Sequence, residues 1–289
     1  MTAEGVLLVD KPRNVTSHDV VDTVRRTLGT KKVGHAGTLD PMATGLLIVG
    51  VGRATRLLRF LSRLPKTYTG SARLGVETTT LDTEGEVVRE ETVSVNRETV
   101  RDAMRAFVGD AMQRPPAFSA VKVGGRKLYE AARKGESLDA PARPVRVDRF
   151  ELVAFEPPGL DFAVTCSAGT YVRVLVADLG TALGCGAHLT RLRRVAIGPF
   201  EIEEAVPPVE VGQPLPVERA VGHLPAVRLH PEEAVAASHG RPLGPAGIGG
   251  PYAVFDPEGR LIGVYEDEGP LAKPQVILAH AAEPEDRAR

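Results

Sequence analysis

The stretch GHAGTLDPMATG, residues 34–45, decides how the rest of the chain is interpreted. Four of its twelve residues are Gly or Pro, which excludes a regular helix or strand over the whole stretch. We expect a loop here, in which Pro41 restricts the backbone of Asp40 to an extended or turn geometry. From the residues alone, Asp40 is either an ordinary turn residue or a catalytic carboxylate presented by the loop.

The segments on both sides of this loop have clear periodicity. GVLLVD at 5–10 and LLIVGV at 46–51 read as strands. Between them, Thr16 or Ser17 can cap a helix that ends at Gly29. Its apolar residues recur at helical spacing and form one stripe: Val20, Val21, Val24 and Leu28.

Further along the chain, strands and helices alternate irregularly. Strands are predicted over 66–75, 145–155, 161–169 and 192–200. A helix capped by Asn96 has the inward stripe Val100, Met104, Phe107 and Val108, and one over 170–180 has Val172, Leu175, Val176 and Leu179. TTTLDTEG at 78–85 is interpreted as a turn between strands. The pattern predicts an α+β fold around a mixed, largely antiparallel sheet flanked by helices and loops.

The composition changes near residue 213, where a proline-rich stretch begins. We predict a large domain over 1–222 and a small β-rich domain over 223–289. FDPEGRLIGVYED at 255–267 reads as a β-hairpin of the small domain.

The net charge of −1 hides an uneven distribution along the chain. Residues 1–230 have 31 Lys and Arg against 27 Asp and Glu, whereas the remainder has 5 against 10. The segment 114–134 is the most basic, with Arg114, Lys122, Arg126, Lys127, Arg133 and Lys134 against Glu130. Such a segment either follows a phosphate backbone or is a solvated surface loop.

Several function classes are disfavoured by the sequence. No apolar run approaches the roughly 20 residues of a membrane helix. The two cysteines lack CxxC spacing, and no two histidines stand at i, i+4, so a metal site is not expected. These features predict a cytoplasmic protein with reduced thiols.

Five motifs, taken together and in order, resemble those of the TruB family of tRNA pseudouridine synthases. They are VDKPRNVTSHD at 9–19, GHAGTLDPMATGLL at 34–47, KTYTGSARLG at 66–75, GTYVRVLVADLG at 169–180 and LRRVAIGPF at 192–200. The resemblance covers most of residues 5–200 and fades after about residue 222. It implies the pseudouridine synthase fold with a small PUA-like C-terminal domain.

The resemblance also implies an activity. The family isomerises a uridine of tRNA, at position 55 in the T-loop, to pseudouridine after flipping the base, without a cofactor. Asp40 matches the catalytic carboxylate, whereas Asp10 and Asp82 lie outside the motif. An ionised carboxylate suits attack as a nucleophile or action as a base, and the residues do not choose between them. An arginine partner is expected to lower the pKa of Asp40 and keep it charged.

Other site residues are implied position by position. Arg173 matches the arginine partner, and Tyr68 the tyrosine that stacks on the base. Read without the family, Arg173 is a surface helix residue, Tyr68 a half-buried strand aromatic and His35 a structural loop residue. By resemblance, His35 stacks on the disrupted loop, Lys11 and Pro12 support the pocket edge, and Leu192 lines the pocket. Arg193 and Arg194 are expected near phosphate.

The insertion over about 112–140 corresponds to a family segment that folds over the RNA. By this resemblance, Lys122, Arg126 and Lys127 are expected to contact RNA. The acidic tail has the wrong sign for gripping phosphates. It either packs against the acceptor arm of tRNA by shape or through few contacts, or serves as a structural cap. Two rival hypotheses are a non-catalytic tRNA-binding or tRNA-folding protein on the same fold, and an unrelated carboxylate hydrolase. We expect a monomer that binds the T-arm of tRNA.

Overall fold

The computed structural model describes residues 3–119, 121–132, 134–136, 138 and 140–278. The strands are β1 Gly5–Lys11, β2 Val33–Ala36, β3 Thr44–Val51, β4 Lys66–Leu74, β5 Val76–Thr78, β6 Val87–Glu90, β7 Gly109–Gln113, β8 Lys122–Val123, β9 Arg126–Lys127, β10 Arg143–Glu156, β11 Gly159–Cys166, β12 Ala187–Ile197, β13 Phe200–Glu201, β14 Ala226–Arg228, β15 Tyr252–Phe255, β16 Leu261–Glu268 and β17 Leu271–Ile277. The α-helices are α1 Ser17–Leu28, α2 Leu58–Leu61, α3 Arg97–Ala106, α4 Leu128–Ala132, α5 Val172–Ala182 and α6 Pro231–Ser238. Short 3₁₀ helices cover Gly52–Leu57, Ile202–Glu204 and Val217–Ala220.

The central sheet has the strand order β1-β3-β12-β4-β11-β10-β7, with β2 beside β3 and β13 beside β12. Only the β3–β12 pair is parallel, and the other pairs in this sheet are antiparallel. The predicted α+β class with a mixed, largely antiparallel sheet is therefore confirmed.

Strand β3 is buried on both faces, which explains its continuous apolar sequence. Leu46 and Ile48 pack into one core cluster, while Leu47 and Val49 pack into another on the opposite face. All four are fully buried. Successive side chains of a strand point to opposite faces, so this short run joins two halves of the core.

Helix α1 has the predicted ends. The Thr16 hydroxyl accepts a hydrogen bond from the Asp19 amide, and the Asp19 carboxylate accepts one from the Thr16 amide. Gly29 closes the helix in the left-handed region, with φ of 62°. The stripe Val20, Val21 and Val24 is buried, as predicted.

A glycine permits the close approach of β3 to β12. Gly45 has φ of 102°, and a Cβ built on it would lie 2.3 Å from the carbonyl oxygen of Arg194. Any side chain there would push the two parallel strands apart. Gly45 thus holds the end of the 34–45 loop against β12.

The helix predicted after Asn96 is present as α3, but the predicted buried stripe continues beyond the end of the helix. Val100 and Met104 are buried, whereas the side chain of Val108 is 46% exposed. The helix ends at Ala106, so Val108 no longer follows helical spacing. The inward placement of Val108 was wrong.

A second sheet, with order β14-β15-β16-β17, lies in the C-terminal part. Its β15–β16 pair is the predicted hairpin. Leu261, Val264 and Val276 share a core cluster with Phe60 and Leu61 of the first part. This part of the chain therefore packs against the central sheet through apolar contacts.

Arginines before and within α2 donate hydrogen bonds to backbone carbonyls of β17 and of the residue directly after it. Arg53 Nη1 donates to the carbonyl oxygen of Leu278 at 2.5 Å, and Arg59 Nη2 to that of Gln275 at 2.7 Å. Arg56 donates to the carbonyl of Ile277. These hydrogen bonds join the C-terminal part to the central part of the chain, in addition to the shared apolar cluster. Residues 279–289 of the predicted small domain lie outside the described residues.

Within the described part of the chain, none of the six helices has the length and apolar composition needed to cross a lipid bilayer. No group of three or more His, Cys, Asp or Glu residues is arranged to hold a metal ion, again among the described residues.

Candidate active site

The loop that presents Asp40 is fixed by the start of α1. The Ser17 hydroxyl accepts a hydrogen bond from the Leu39 amide at 2.9 Å and lies 3.2 Å from the Leu39 carbonyl oxygen. The Asn14 amide donates to the carbonyl of Pro41 at 2.8 Å. Both neighbours of Asp40 are therefore held by the segment around α1. The expected loop is present over 37–43, with Asp40 between two anchored residues, whereas residues 34–36 belong to β2 and 44–45 to β3.

Asp40 meets Arg173 at the first turn of α5. The Arg173 Nε lies 2.9 Å from Asp40 Oδ2. Arg173 is 4% exposed, whereas the Asp40 side chain keeps 38% exposure. The arginine is thus a buried support, and the carboxylate reaches accessible space. The structure brings together the two residues that the sequence analysis paired.

The rest of the Arg173 guanidinium is also occupied. Nη1 donates to the Thr80 carbonyl oxygen at 2.9 Å, and Nη2 donates to that of Phe118 at 3.1 Å. Nη1 also lies 3.5 Å from Asp82 Oδ2. Contacts on both sides fix the plane of the guanidinium, and therefore the direction from which it meets Asp40.

Asp82 is the main site residue that sequence reasoning missed. The segment TTTLDTEG does form a turn between β5 and β6, but the Asp82 side chain is 4% exposed. Its Oδ1 accepts hydrogen bonds from the Thr80 hydroxyl at 2.5 Å and from the Glu84 amide at 3.0 Å. The Leu189 amide of β12 donates to the carbonyl of Leu81, which ties the turn to the central sheet. Nothing in the local sequence distinguishes this Asp from a solvated turn residue.

A cavity of about 340 Å³ opens beside the Asp40–Arg173 pair. That volume lies in the range of small-molecule sites, about 300–1,000 Å³. Tyr68 and Leu192, both buried, contribute apolar surface to its lining, and Arg194 and Lys66 contribute cations. The cavity therefore offers an apolar wall for a flat ring next to a carboxylate.

Burial determines the direction in which the pKa of Asp40 is shifted. Desolvation raises the pKa of Asp40 above its ordinary value, Arg173 opposes the rise, and the nearby Asp82 charge adds to it. The expected effect of the arginine is present, because Arg173 lowers the pKa of Asp40, but desolvation is the larger effect and the net shift is upward. One guanidinium shared between two carboxylates does not outweigh the loss of water around Asp40.

Tyr68 lies on β4, directly opposite Arg194 of β12. Burial raises the pKa of the Tyr68 phenol, and the Arg194 guanidinium opposes that rise. The phenol is therefore protonated at neutral pH. Its ring contributes to the cavity wall, and the contact with a base stays a prediction.

Arg194 and Arg193 have different environments. Arg194 is 1% exposed, and it donates to the carbonyl oxygens of Leu46 at 2.7 Å and Gly37 at 3.1 Å. Its guanidinium is therefore bonded inside the protein while it also lines the cavity, and the predicted contact with phosphate stays a prediction. Arg193 is partly exposed and forms a bidentate pair with Asp10, at 3.0 and 2.7 Å.

Lys11 is a fully buried ammonium at the other side of the loop. Its Nζ donates to the carbonyl oxygens of Val15 at 2.7 Å and Pro12 at 3.0 Å. Burial lowers the pKa of Lys11 to about 8, although the Asp40 charge acts in the opposite direction. Pro12 is exposed beside it. Lys11 Nζ also donates to the carbonyl oxygen of Pro41 at 3.3 Å, which attaches it to the loop that presents Asp40. The supporting role at the pocket edge stays a prediction.

His35 is half-buried on β2. Burial lowers the pKa of His35, and the Arg194 charge adds to that effect. Its imidazole is therefore neutral at pH 7, which suits stacking better than binding of phosphate.

The basic insertion contains the β8–β9 hairpin and α4. Lys122 and Arg126 are exposed, and Arg126 forms an ion pair with Glu136. The side chain of Lys127 and all of Arg133 lie outside the described residues. At the base of the insertion, the Gln113 side chain exchanges two hydrogen bonds with the backbone of Tyr171, at 3.1 and 2.7 Å.

Comparison with protein families places this geometry in context. Residues 25–172 match the family described as TruB family pseudouridylate synthase, N-terminal domain. Residues 173–213 match the tRNA pseudouridylate synthase B C-terminal domain, and 224–279 match tRNA pseudouridine synthase II, C terminal. The last match corrects the expectation that the resemblance fades after about residue 222.

Individual relatives agree with the family match. The chain is 44% identical over 287 residues to the tRNA pseudouridine synthase B of Mycobacterium sp. (strain KMS), covering 96% of this chain and 97% of the relative. It is 44% identical over 290 residues to that of Thermobifida fusca (strain YX), covering 96% and 99%. A chain in the crystal structure of a Cbf5-Nop10-Gar1 complex has 27% identity and a TM-score of 0.75, covering 96% of this chain and 85% of that one.

Proposed function

The chain belongs to the TruB family of pseudouridine synthases and isomerises a uridine of tRNA to pseudouridine, and from this premise we propose that Asp40 is its catalytic carboxylate. We further propose that the target is the uridine at position 55 of the T-loop, flipped out of the RNA into the 340 Å³ cavity. The observation that carries the proposal is the 2.9 Å pair between Asp40 and the buried Arg173, at the wall of this cavity.

The chemistry explains why a single carboxylate is enough. The N1–C1′ bond of uridine breaks, the uracil turns, and a bond forms between C5 and C1′. The proton on C5 is lost and N1 gains one, so the reaction has no net oxidation and needs no external group. An ionised Asp40 supplies an anion beside the ring and the ribose, where it acts as a nucleophile or as a base.

The surrounding residues receive roles that follow from their positions. Arg173 orients Asp40 and opposes its protonation, and Tyr68 packs on the base. Leu192 completes the apolar wall, while Lys11 and Pro12 support the loop. His35 stacks on the opened T-loop. We assign Arg193, rather than the buried Arg194, to phosphate, because its side chain is partly exposed.

We propose that the enzyme acts in the cytoplasm as a monomer, without a metal or cofactor. Residues 1–222 form the catalytic domain, including the insertion at about 112–140, and 223–289 form a small PUA-like domain. The acidic composition of the small domain disfavours phosphate binding as its main role.

The activity is tested with a T-arm hairpin whose target uridine has tritium at C5. Dialysed enzyme with EDTA is expected to release tritium to water as the C5–C1′ bond forms. A hairpin with cytidine at the target position is the matched control and should release none from that site. Absence of release from the uridine substrate, with folded protein, contradicts the proposed reaction.

The insertion is the second element tested. Replacing Lys122, Arg126 and Lys127 with Ala is expected to weaken RNA binding and to reduce the slope of log K against log salt by about 2, since each lost phosphate contact removes roughly 0.7–0.9. The single-turnover rate at saturating RNA should stay near that of the unmodified enzyme. The measurement is a salt titration of hairpin affinity.

Three exposed arginines of α3 provide a control of equal charge: Arg97, Arg101 and Arg105. Their replacement with Ala should leave the salt slope of the hairpin unchanged. Equal slopes for both triple variants would contradict a special role for the insertion.

A further inference from the structure

Ser119 lies in the insertion and also lines the catalytic cavity. It is 5% exposed, and its hydroxyl has no hydrogen-bond partner among the described residues. A buried hydroxyl without a partner lowers stability, because it loses its bonds to water without replacement. Such a group in a substrate cavity indicates a role outside folding.

The backbone around Ser119 is held without using this hydroxyl. The Ser119 carbonyl accepts a hydrogen bond from the Tyr129 amide at 3.1 Å. The preceding carbonyl, that of Phe118, accepts from Nη2 of Arg173 at 3.1 Å. The arginine that contacts Asp40 therefore also fixes Ser119 at the cavity wall.

The other two serines that line the cavity are different. The Ser167 hydroxyl accepts from the Arg146 amide at 2.9 Å, and the Ser62 hydroxyl donates to the Arg59 carbonyl at 2.9 Å. Both have local structural partners. Ser119 alone among these three presents an unused polar group to the cavity.

We propose that the Ser119 hydroxyl donates a hydrogen bond to a carbonyl oxygen of the flipped uracil and positions the ring over Asp40. This inference rests on the proposed function and adds a base contact from the insertion. Uracil has two carbonyl acceptors and two apolar faces. Tyr68 and Leu192 suit the faces, and Ser119 supplies a donor for the polar edge.

The geometry of the isomerisation strengthens this assignment. When uracil turns about the axis through N3 and C6, C5 moves to the former position of N1. The same turn exchanges O4 and O2. A donor placed at one carbonyl oxygen before the turn meets the other one afterwards, so a single hydroxyl holds the ring in both orientations.

The first test separates this role from a structural one. Ser119→Ala is expected to lower the single-turnover rate at saturating RNA about tenfold, the effect of one lost hydrogen bond. Its Tm should be equal to or above that of the unmodified enzyme, because an unpaired buried group is removed. Ser167→Ala should instead lower Tm, since it leaves the Arg146 amide without its partner. Ser119→Thr, which keeps the hydroxyl, should restore the rate to within about threefold.

The second test locates the bonded atom. Hairpins with 4-thiouridine or 2-thiouridine at the target position replace one carbonyl oxygen by sulfur, a weaker acceptor. At least one of them should slow the unmodified enzyme but cause no further loss in Ser119→Ala. If the rate losses from the thio substitution and from Ser119→Ala are fully additive for both substrates, the base contact is overturned. It is also overturned if the rate of Ser119→Ala lies within twofold of the unmodified enzyme, or if its Tm falls clearly. An inactive unmodified enzyme would instead contradict the proposed function itself.

Discussion

Replacing Asp40 with Asn is expected to slow pseudouridine formation by more than about 10³-fold, the scale seen when a nucleophile or general base is removed. The amide has nearly the same shape, but it carries no negative charge for either mechanism. Affinity for the T-arm hairpin should change little, because the insertion and Arg193 are untouched. Single-turnover tritium release and equilibrium binding measure the two effects separately.

The fold should tolerate this change. Burial raises the pKa of Asp40, so its negative charge costs folding free energy at neutral pH, and the amide removes that cost. Asp82 remains beside Arg173 to balance the guanidinium. Asp102→Asn, on the exposed face of α3, is the matched control and should retain full activity. Tritium release by Asp40→Asn at the unmodified rate would remove Asp40 from its role.

Replacing Arg173 with Met is the second change with a large expected effect, at least about 10²-fold on the single-turnover rate at pH 7. Met removes the charge 2.9 Å from Asp40 and all the bonds that fix the direction of the side chain. Two carboxylates then remain near each other without a shared cation. Arg173→Lys keeps a charge but cannot reproduce the planar set of donors, so an intermediate rate is expected.

The loss of Arg173 is expected to shift the pH dependence of the rate in one definite direction. If Asp40 must be ionised, the rate falls as pH drops through its pKa, which burial places above the ordinary carboxyl range of about 4. Loss of Arg173 removes a group that lowers the pKa of Asp40, so the acid limb of the rate profile should move to higher pH. Asp82→Asn removes a group that raises it, so its acid limb should move to lower pH.

These opposite shifts distinguish an electrostatic role from a loss of structure. Single-turnover rates between pH 4 and 8, with Tm measured at each pH, provide the comparison. Identical pH profiles for Arg173→Met, Asp82→Asn and the unmodified enzyme would contradict the proposed control of Asp40 ionisation.

The pairing of Asp40 with Arg173 was predictable because both residues lie in long, distinctive motifs. GHAGTLDPMATG points to Asp40 and GTYVRVLVADLG to Arg173, and the structure places the two side chains 2.9 Å apart. Their roles in catalysis remain predictions. The caps of α1, the strand β3 and the hairpin of β15 and β16 were also predictable, since each depends on a short local pattern.

Asp82, Arg194 and Ser119 could not be assigned in the same way. Asp82 lies in a polar turn, yet its approach to β12 buries it beside Arg173. Arg194 belongs to a pair of adjacent arginines, and only the strand pairing sends one inward and leaves the other partly exposed. In the sequence, Ser119 is one hydroxyl among many polar groups of a basic insertion. Its place at the cavity follows from the hydrogen bond between Arg173 and the Phe118 carbonyl.

The amino-acid sequence by itself determined the α+β class, the limits of α1, and which carboxylate and arginine to pair. Those features depend on neighbours within a few turns of helix or one strand, or on motif resemblance. Only the tertiary structure decided that a second carboxylate shares Arg173 and that burial raises the pKa of Asp40. Desolvation and charge proximity depend on distances between segments far apart in the chain, which no local pattern contains.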